Sequence, residues 1–233
     1  MTISGKTTLT GIIGYPVSHS LSPLMHNAAF AALSLDWVYV PFPVAPERLA
    51  EGVRGLAALG VAGFNVTIPH KVAIIPLLDR IAPEAELIGA VNTVQVKDGL
   101  LTGYNTDGIG LLAALEGKLG FTPSGRSVLV LGAGGAARSA LVSLALAGAS
   151  RIDIVNRSLE KGEELAAELG GRLSVTLAAA GLERLADAGY LKEFDLIVNT
   201  TSVGMAGDSF PGLSLAGLKS GAVLYDMVYA PPV

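Results

Sequence analysis

Leu129-Val-Leu-Gly-Ala-Gly-Gly-Ala-Ala137 is the stretch that decides the fold. The apolar run from Ser127 to Leu131 predicts a strand buried on both faces, as in parallel sheets. Gly132, Gly134 and Ala137 then fall at G-x-G-x-x-A spacing, where a helix should open. In that context Gly132 allows the tight turn and Gly134 lets a pyrophosphate approach the backbone. Ala137 lets the helix pack close to the strand. A glycine pattern alone is weak in a chain with 29 glycines, where it can also be a packed turn. Strand, turn and helix in register favour dinucleotide binding.

Working outward from that turn, strand and helix alternate. Helix is expected over 136–147, strand over 151–155, helix over 159–169, and strands over 195–199 and 223–226. The second strand leads to Asn156-Arg157-Ser158, with Lys161 a turn later. A site for NAD usually places Asp or Glu there, to accept from the ribose 2′-hydroxyl. Arg157 can instead stack on adenine and pair a 2′-phosphate, which favours NADP. The alternative is an exposed Arg after a strand. Asp153 lies within the strand, too early to be the ribose acid.

The first half is also α/β. Strands are expected over 7–14, 37–42 and 63–68, with helices over 22–33, 46–59 and 70–78. Segments 91–96 and 100–104 flank Asp98-Gly99, a hairpin signal, so the sheet should be mixed. A helix over 107–119 leads away, and Thr122-Pro123-Ser124-Gly125 reads as a joint. The expected organisation is a substrate-binding, catalytic α/β domain over 1–106, a connecting helix over 107–121 and a Rossmann-like domain with a parallel sheet over 122–233.

Composition narrows the function. Apolar residues make up 51% and charged ones 15%, net charge is −4, and no basic run occurs. That argues against nucleic acid or an anionic membrane as partner. There is no cysteine, so no disulfide and no Cys-based zinc site. The amino terminus lacks a signal-peptide core, and no run approaches the ~18 apolar residues of a membrane span. A soluble cytoplasmic protein acting on a small molecule is expected; a homodimer is left open. His19, His26 and His70 lack both metal-ligand spacing and triad context, and no Gly-x-Ser-x-Gly elbow suggests a hydrolase.

Chemistry gathers in the first half. Gly63-Phe-Asn-Val-Thr-Ile-Pro-His-Lys71 is a strand stopped by Pro69, with Lys71 where a helix should begin. Asn65 and Thr67 should share one face, away from Val66 and Ile68. His19-Ser-Leu-Ser-Pro23 puts Ser20 and Ser22 at a loop-to-helix junction, where hydroxyls and helix N–H groups can hold a carboxylate. Equally, Ser22 can be an N-cap and Ser20 a turn residue. Asn92-Thr93 and Asn105-Thr-Asp-Gly108 complete the set, Asp107 being either a helix cap or a partner for Lys71.

Taken with Gly89-Ala-Val-Asn-Thr93, Asn199-Thr-Thr-Ser-Val-Gly-Met205 and Tyr225-Asp-Met-Val-Tyr229, these segments stand in the order found in the shikimate dehydrogenase family, which the chain resembles over nearly its whole length. The resemblance implies NADPH-dependent reduction of 3-dehydroshikimate to shikimate, in aromatic amino-acid biosynthesis. It implies that Ser20, Ser22 and Tyr229 hold the substrate carboxylate, and Thr67, Asn92 and Asp107 its ring hydroxyls. Lys71 would be the acid–base, paired with Asp107. Gly132, Ala133, Gly134, Gly135 and Ala136 would cradle the pyrophosphate. Asn156, Arg157, Ser158 and Lys161 would take the adenosine phosphate, with Met227, Thr201 and Ser202 lining the nicotinamide. Family members continue into helices that return to the first domain, carrying a Gly and a substrate-binding Gln; the sequence to Val233 has neither, so a second domain without those helices is expected. The competing readings are a quinate/shikimate dehydrogenase of broader specificity and a non-catalytic NADP- or shikimate-binding relative.

Overall fold

The computed structural model describes residues 3–205 and 207–228. The chain divides into two units, Met1–Thr106 and Asp107–Val233.

The first unit runs β1 (Thr8–Gly14), α1 (Ser22–Ala32), β2 (Trp37–Pro43), α2 (Leu49–Ala58), β3 (Gly63–Val66), α3 (His70–Ala73), β4 (Arg80–Ile81), α4 (Pro83–Ile88), β5 (Thr93–Lys97) and β6 (Leu100–Tyr104). Its sheet has the order β2-β1-β3-β5-β6-β4. β1 pairs in parallel with β2 and β3, and β5 is antiparallel to both β3 and β6. The mixed sheet follows from the connections: helices return the chain between parallel strands, whereas Asp98-Gly99 makes a hairpin. Both turn residues have positive φ, 52° and 76°, as a two-residue hairpin turn requires. Ile13, Val53, Leu56, Phe64, Val66 and Ile74 form the core between sheet and α2.

The second unit runs α5 (Asp107–Leu119), β7 (Ser127–Leu131), α6 (Gly135–Leu146), β8 (Arg151–Val155), α7 (Leu159–Gly170), β9 (Thr176–Ala180), α8 (Ala188–Leu191), β10 (Leu196–Asn199) and β11 (Val223–Asp226). The sheet order is β11-β10-β7-β8-β9, parallel throughout. Val128, Leu129, Val130 and Leu131 are buried, as are all residues of β10, because helices cover both faces. The chain moves from β7 outward through β8 and β9, then returns to β10 on the other side. The carboxyl ends of β7 and β10 therefore flank a topological switch point, where α/β sheets bind ligands.

Several expected elements are shorter than the apolar pattern suggests, and proline is the reason in β3 and in the segment 70–78. β3 stops at Val66, and Ile68 beside Pro69 is 55% exposed rather than sharing the buried face of Val66. The segment 46–59 splits into a 3₁₀ turn, Pro46–Arg48, and α2. The segment 70–78 splits into α3 and a 3₁₀ turn, Ile75–Leu77, because Pro76 has no N–H to give to a helix. β4, α4, β9 and α8 are not among the expected elements.

Candidate functional site

The first unit carries a polar network on one face of β3. The Tyr39 hydroxyl donates to Asn65 Oδ1 at 2.7 Å. Asn65 Nδ2 donates to the Asn92 carbonyl at 3.3 Å and to Thr93 Oγ1 at 3.0 Å. Thr93 Oγ1 donates to Asn92 Oδ1 at 2.9 Å, and the Thr106 backbone N–H reaches the same oxygen at 3.0 Å. An amide N–H can only donate, so the Thr106 bond fixes which way the Asn92 amide faces. Its Nδ2 donates to Thr106 Oγ1 at 3.0 Å. Asn92, only 7% exposed, is thus a fixed amide in the bend directly before β5, held by its hydrogen bonds. The cost of burying these polar groups is met because each has a partner.

Thr67 follows β3 and is half-buried; its methyl packs where a Cβ on Gly14 would stand, so Gly14 is the space Thr67 occupies. Lys71 lies in the first turn of α3, half-buried, and its carbonyl accepts from Val91 N at 2.8 Å. That bond ties α3 to the Ala90–Asn92 segment, so Lys71 and Asn92 are held to one piece of backbone. His70 beside it is 1% exposed, with Nε2 2.7 Å from the Val44 carbonyl. A carbonyl only accepts, so Nε2 carries the proton and His70 anchors α3.

After β1, α1 begins at Ser22 with Pro23 second. Leu21, not Ser22, is the N-cap, and no side chain caps the helix, which corrects the expected cap. The Ser22 N–H instead donates to Ser20 Oγ at 3.3 Å. A hydroxyl that accepts still has its own proton to donate, which suits a carboxylate ligand. Tyr229 lies outside the described residues.

In the second unit, Asp107 is half-buried in the first turn of α5, which packs on α6. Gly108 makes that packing possible: a Cβ there would lie 2.8 Å from Ser143 Cβ on α6.

The β7–α6 turn fits a dinucleotide. Gly132 has φ +113°, and a Cβ on it would lie 2.7 Å from Thr200 Oγ1, so only glycine passes beneath the loop after β10. At Gly134 a Cβ would meet nothing within 4 Å, leaving the backbone open on that side. Gly135 and Ala136 begin α6, whose first N–H groups have no partner within the helix, and Ala137 is fully buried against the sheet. Ala133 lies between the two glycines, half-buried. After β8, Asn156 Nδ2 donates to the Ser158 carbonyl at 2.8 Å and shapes the turn. Arg157 and Lys161 are exposed and in no ion pair within the described residues. No carboxylate ends β8. Asp153 is buried and committed to Arg151, at 2.7 Å to both Nε and Nη2, and to the Tyr190 hydroxyl at 2.9 Å. Burial and the Asp153 carboxylate hold that tyrosine proton in place by pushing its pKa well above the usual value.

Asn199 organises the third wall. Its Oδ1 accepts from Thr201 N at 3.0 Å and Oγ1 at 2.8 Å, and its Nδ2 donates to Asp226 Oδ1 at 2.9 Å and the Val203 carbonyl at 3.0 Å. The Met227 N–H donates to the Asn199 carbonyl at 3.1 Å. Asn199 therefore joins the Thr201-Ser202 loop to Met227, while Ser202 stays exposed. Sequence reasoning gave Asn199 and Tyr39 no role and named Thr93 only within the Asn92-Thr93 cluster. The signal for Asn199 and Thr93 lay in the segments quoted above; nothing marked Tyr39. Among the described residues no cluster of metal-ligating side chains occurs, and no helix is long and apolar enough to cross a membrane.

Residues 12–94 match the model of the shikimate dehydrogenase substrate-binding domain, and residues 116–205 that of shikimate/quinate 5-dehydrogenase. A protein of Geobacter sp. strain M21 named shikimate dehydrogenase (NADP(+)) is 73% identical over all of this chain and 81% of its own length. A crystal structure of a shikimate dehydrogenase in complex with NADP+ superposes with a TM-score of 0.88 at 43% identity, over 99% of this chain and 80% of that one. The shikimate 5-dehydrogenase of Thermus thermophilus, solved with NADP(H) and shikimate, gives 0.82 at 36% identity, over 96% of this chain and 80% of that one.

Proposed function

Because the chain belongs to the shikimate dehydrogenase family, we propose that it interconverts 3-dehydroshikimate and shikimate with NADP(H). The observation that carries the reading at the level of chemistry is the fixed amide of Asn92, next in the chain to Val91, whose N–H holds the Lys71 carbonyl. A rigid hydrogen-bonding group beside a half-buried Lys suits a small polyhydroxylated ring. A glycine turn at a switch point suits the dinucleotide.

Ser20 and Ser22, with Tyr229, hold the carboxylate of the substrate. Thr67, Asn92 and Asp107 hold ring hydroxyls, and so orient the carbonyl that is reduced. Gly132 to Ala136 bind the pyrophosphate through backbone N–H groups. Asn156, Arg157, Ser158 and Lys161 take the 2′-phosphate end, and Met227 with Thr201 and Ser202 lines the nicotinamide. When bound, NADPH supplies the hydride that reaches the carbonyl carbon. Lys71 stabilises the negative charge that builds on the carbonyl oxygen and gives that oxygen its proton; solvent then reprotonates the amine. In the oxidative direction neutral Lys71 removes the alcohol proton. Asp107 fixes a substrate hydroxyl, a positional part rather than that of a second proton donor.

The test is direct. The purified protein given shikimate and NADP should show the absorbance of reduced nicotinamide. Lys71→Ala should cut turnover by about 10²- to 10⁴-fold, the usual share of a general acid, while shikimate binding by calorimetry stays within a few-fold. Near-wild-type turnover in that variant would remove Lys71 from its role.

A further inference from the structure

We propose that Glu160 is a specificity-determining residue that works against the cofactor 2′-phosphate and so narrows the preference for NADP over NAD. The inference rests on the reading of the Asn156–Lys161 turn as the 2′-phosphate site. Ser158 occupies the N-cap position of α7, with extended φ −97° and ψ 108°, yet its side chain makes no capping bond. Its hydroxyl donates instead to Glu160 Oε2 at 2.9 Å. The Glu160 carboxylate is held below its usual pKa by its own backbone N–H and by that hydroxyl, so it is ionised at neutral pH. One turn of chain thus presents Arg157 and Lys161 together with an anion that captures the neutral donor between them.

Two consequences have the same sign. A dianionic phosphate arriving here meets the two cations but also Glu160, and it must compete with Glu160 for the Ser158 proton. A ribose that carries a plain 2′-hydroxyl finds in Glu160 the acceptor that a strand-end carboxylate usually supplies. Glu160 therefore disfavours NADP and assists NAD from the first turn of α7, beyond the strand end. The strand end alone, which holds Asn156 and Arg157, gives no sign of it. Repulsion between unit charges a few ångströms apart in water shifts an equilibrium by about five-fold, so the effect is a tuning of the ratio and not a reversal.

The experiment compares dissociation constants of NADP and NAD by isothermal titration calorimetry, without turnover, in wild type, Glu160→Gln, Glu116→Gln and Arg157→Asp. Glu160→Gln should tighten NADP about five-fold and leave NAD equal or up to about two-fold weaker; the gain should shrink in 1 M salt, where the Debye length is about 3 Å. Glu116→Gln changes net charge equally from an exposed position on α5 and should move the ratio less than about two-fold. Arg157→Asp should weaken NADP far more than NAD. An unchanged ratio in Glu160→Gln, an equal shift for both cofactors, or an equal effect of Glu116→Gln overturns the inference. If Arg157→Asp leaves the NADP preference intact, the phosphate-site reading itself is wrong, which separates the two failures.

Discussion

Tyr39 touches the proposed substrate site through Asn65, and that makes it a measurable positioning residue. Its hydroxyl sits 2.7 Å from Asn65 Oδ1, and its ring stacks on His26 at 4.3 Å between centroids. Tyr39→Phe keeps the stack and removes the donor. A lost hydrogen bond of this kind is worth about 1 kcal/mol, so the KM for shikimate should rise about five-fold. The KM for NADP should stay as it was, and kcat should fall less than about two-fold. Steady-state kinetics with both substrates varied checks this; an unaltered shikimate KM would mean that Asn92 is held without Tyr39. At this scale the sequence was legible where chemistry makes a residue odd in its context, as with Lys71 after Pro69 or Arg157 after a strand. It was mute on Tyr39, because an aromatic in Trp37-Val-Tyr-Val-Pro-Phe-Pro43 reads as ordinary strand filler. Its hydroxyl gains a role only when the sheet brings Asn65 within reach.

Among the elements, α6 and α7 are tied by Arg138 and Glu168, whose two parallel contacts are both 2.6 Å. α6 opens at the glycine turn and α7 at the Asn156 turn, so the pair sets the angle between two helices that both begin at the proposed cofactor site. Arg138 holds the Glu168 carboxyl below its usual value. A carboxylate depressed in the folded protein contributes stability above its unfolded pKa and loses it as pH falls through the folded one. Glu168 is 44% exposed at its side chain, so solvent screening limits the pair to about 0.5–1 kcal/mol despite its geometry. Glu168→Gln should lower Tm by about 2–3 °C at pH 7, and the gap to wild type should close below about pH 4. A gap that persists undiminished at about pH 3, followed by circular dichroism, would assign the loss to packing instead. The helices themselves follow from apolar spacing, and α5, β7 and β8 match their expected bounds. α3 is shorter because Pro76 outweighs an apolar period, whereas α2 follows a first turn that is 3₁₀. β9 was invisible because Thr-Leu-Ala-Ala-Ala has no β-branched run; its place beside β8 comes from the sheet.

For the whole molecule, the legible part was the class: a mixed sheet with a hairpin, then a parallel sheet opened by a glycine turn. Strand order was not legible, since it depends on which long-range pairings close the sheet, and Phe64, Ile13 and Val94 decide that only once packed. Each unit has its own sheet and its own buried cluster, one around Ile13, Val53 and Phe64, the other around Leu129, Tyr190 and Phe194. Binding free energy spent in one such body stabilises that body against local opening, and it reaches another only through shared contacts. Most of the proposed ligand residues divide in the same way: Gly132–Ala136 and Asn156–Lys161 are assigned to the dinucleotide, and Ser20, Thr67 and Asn92 to the substrate. Asp107 and Tyr229 of the second unit are also assigned to the substrate. Hydrogen exchange read by mass spectrometry should show that division. NADP alone should slow amide exchange over 132–138 and 156–162 and leave 64–72 and 91–94 at the rate of the free protein. Shikimate alone should do the reverse, and only the two together should slow both sets. Protection of both sets by NADP alone would show that the units respond as one body, and Lys71 would then have to be treated as part of the cofactor's own reach.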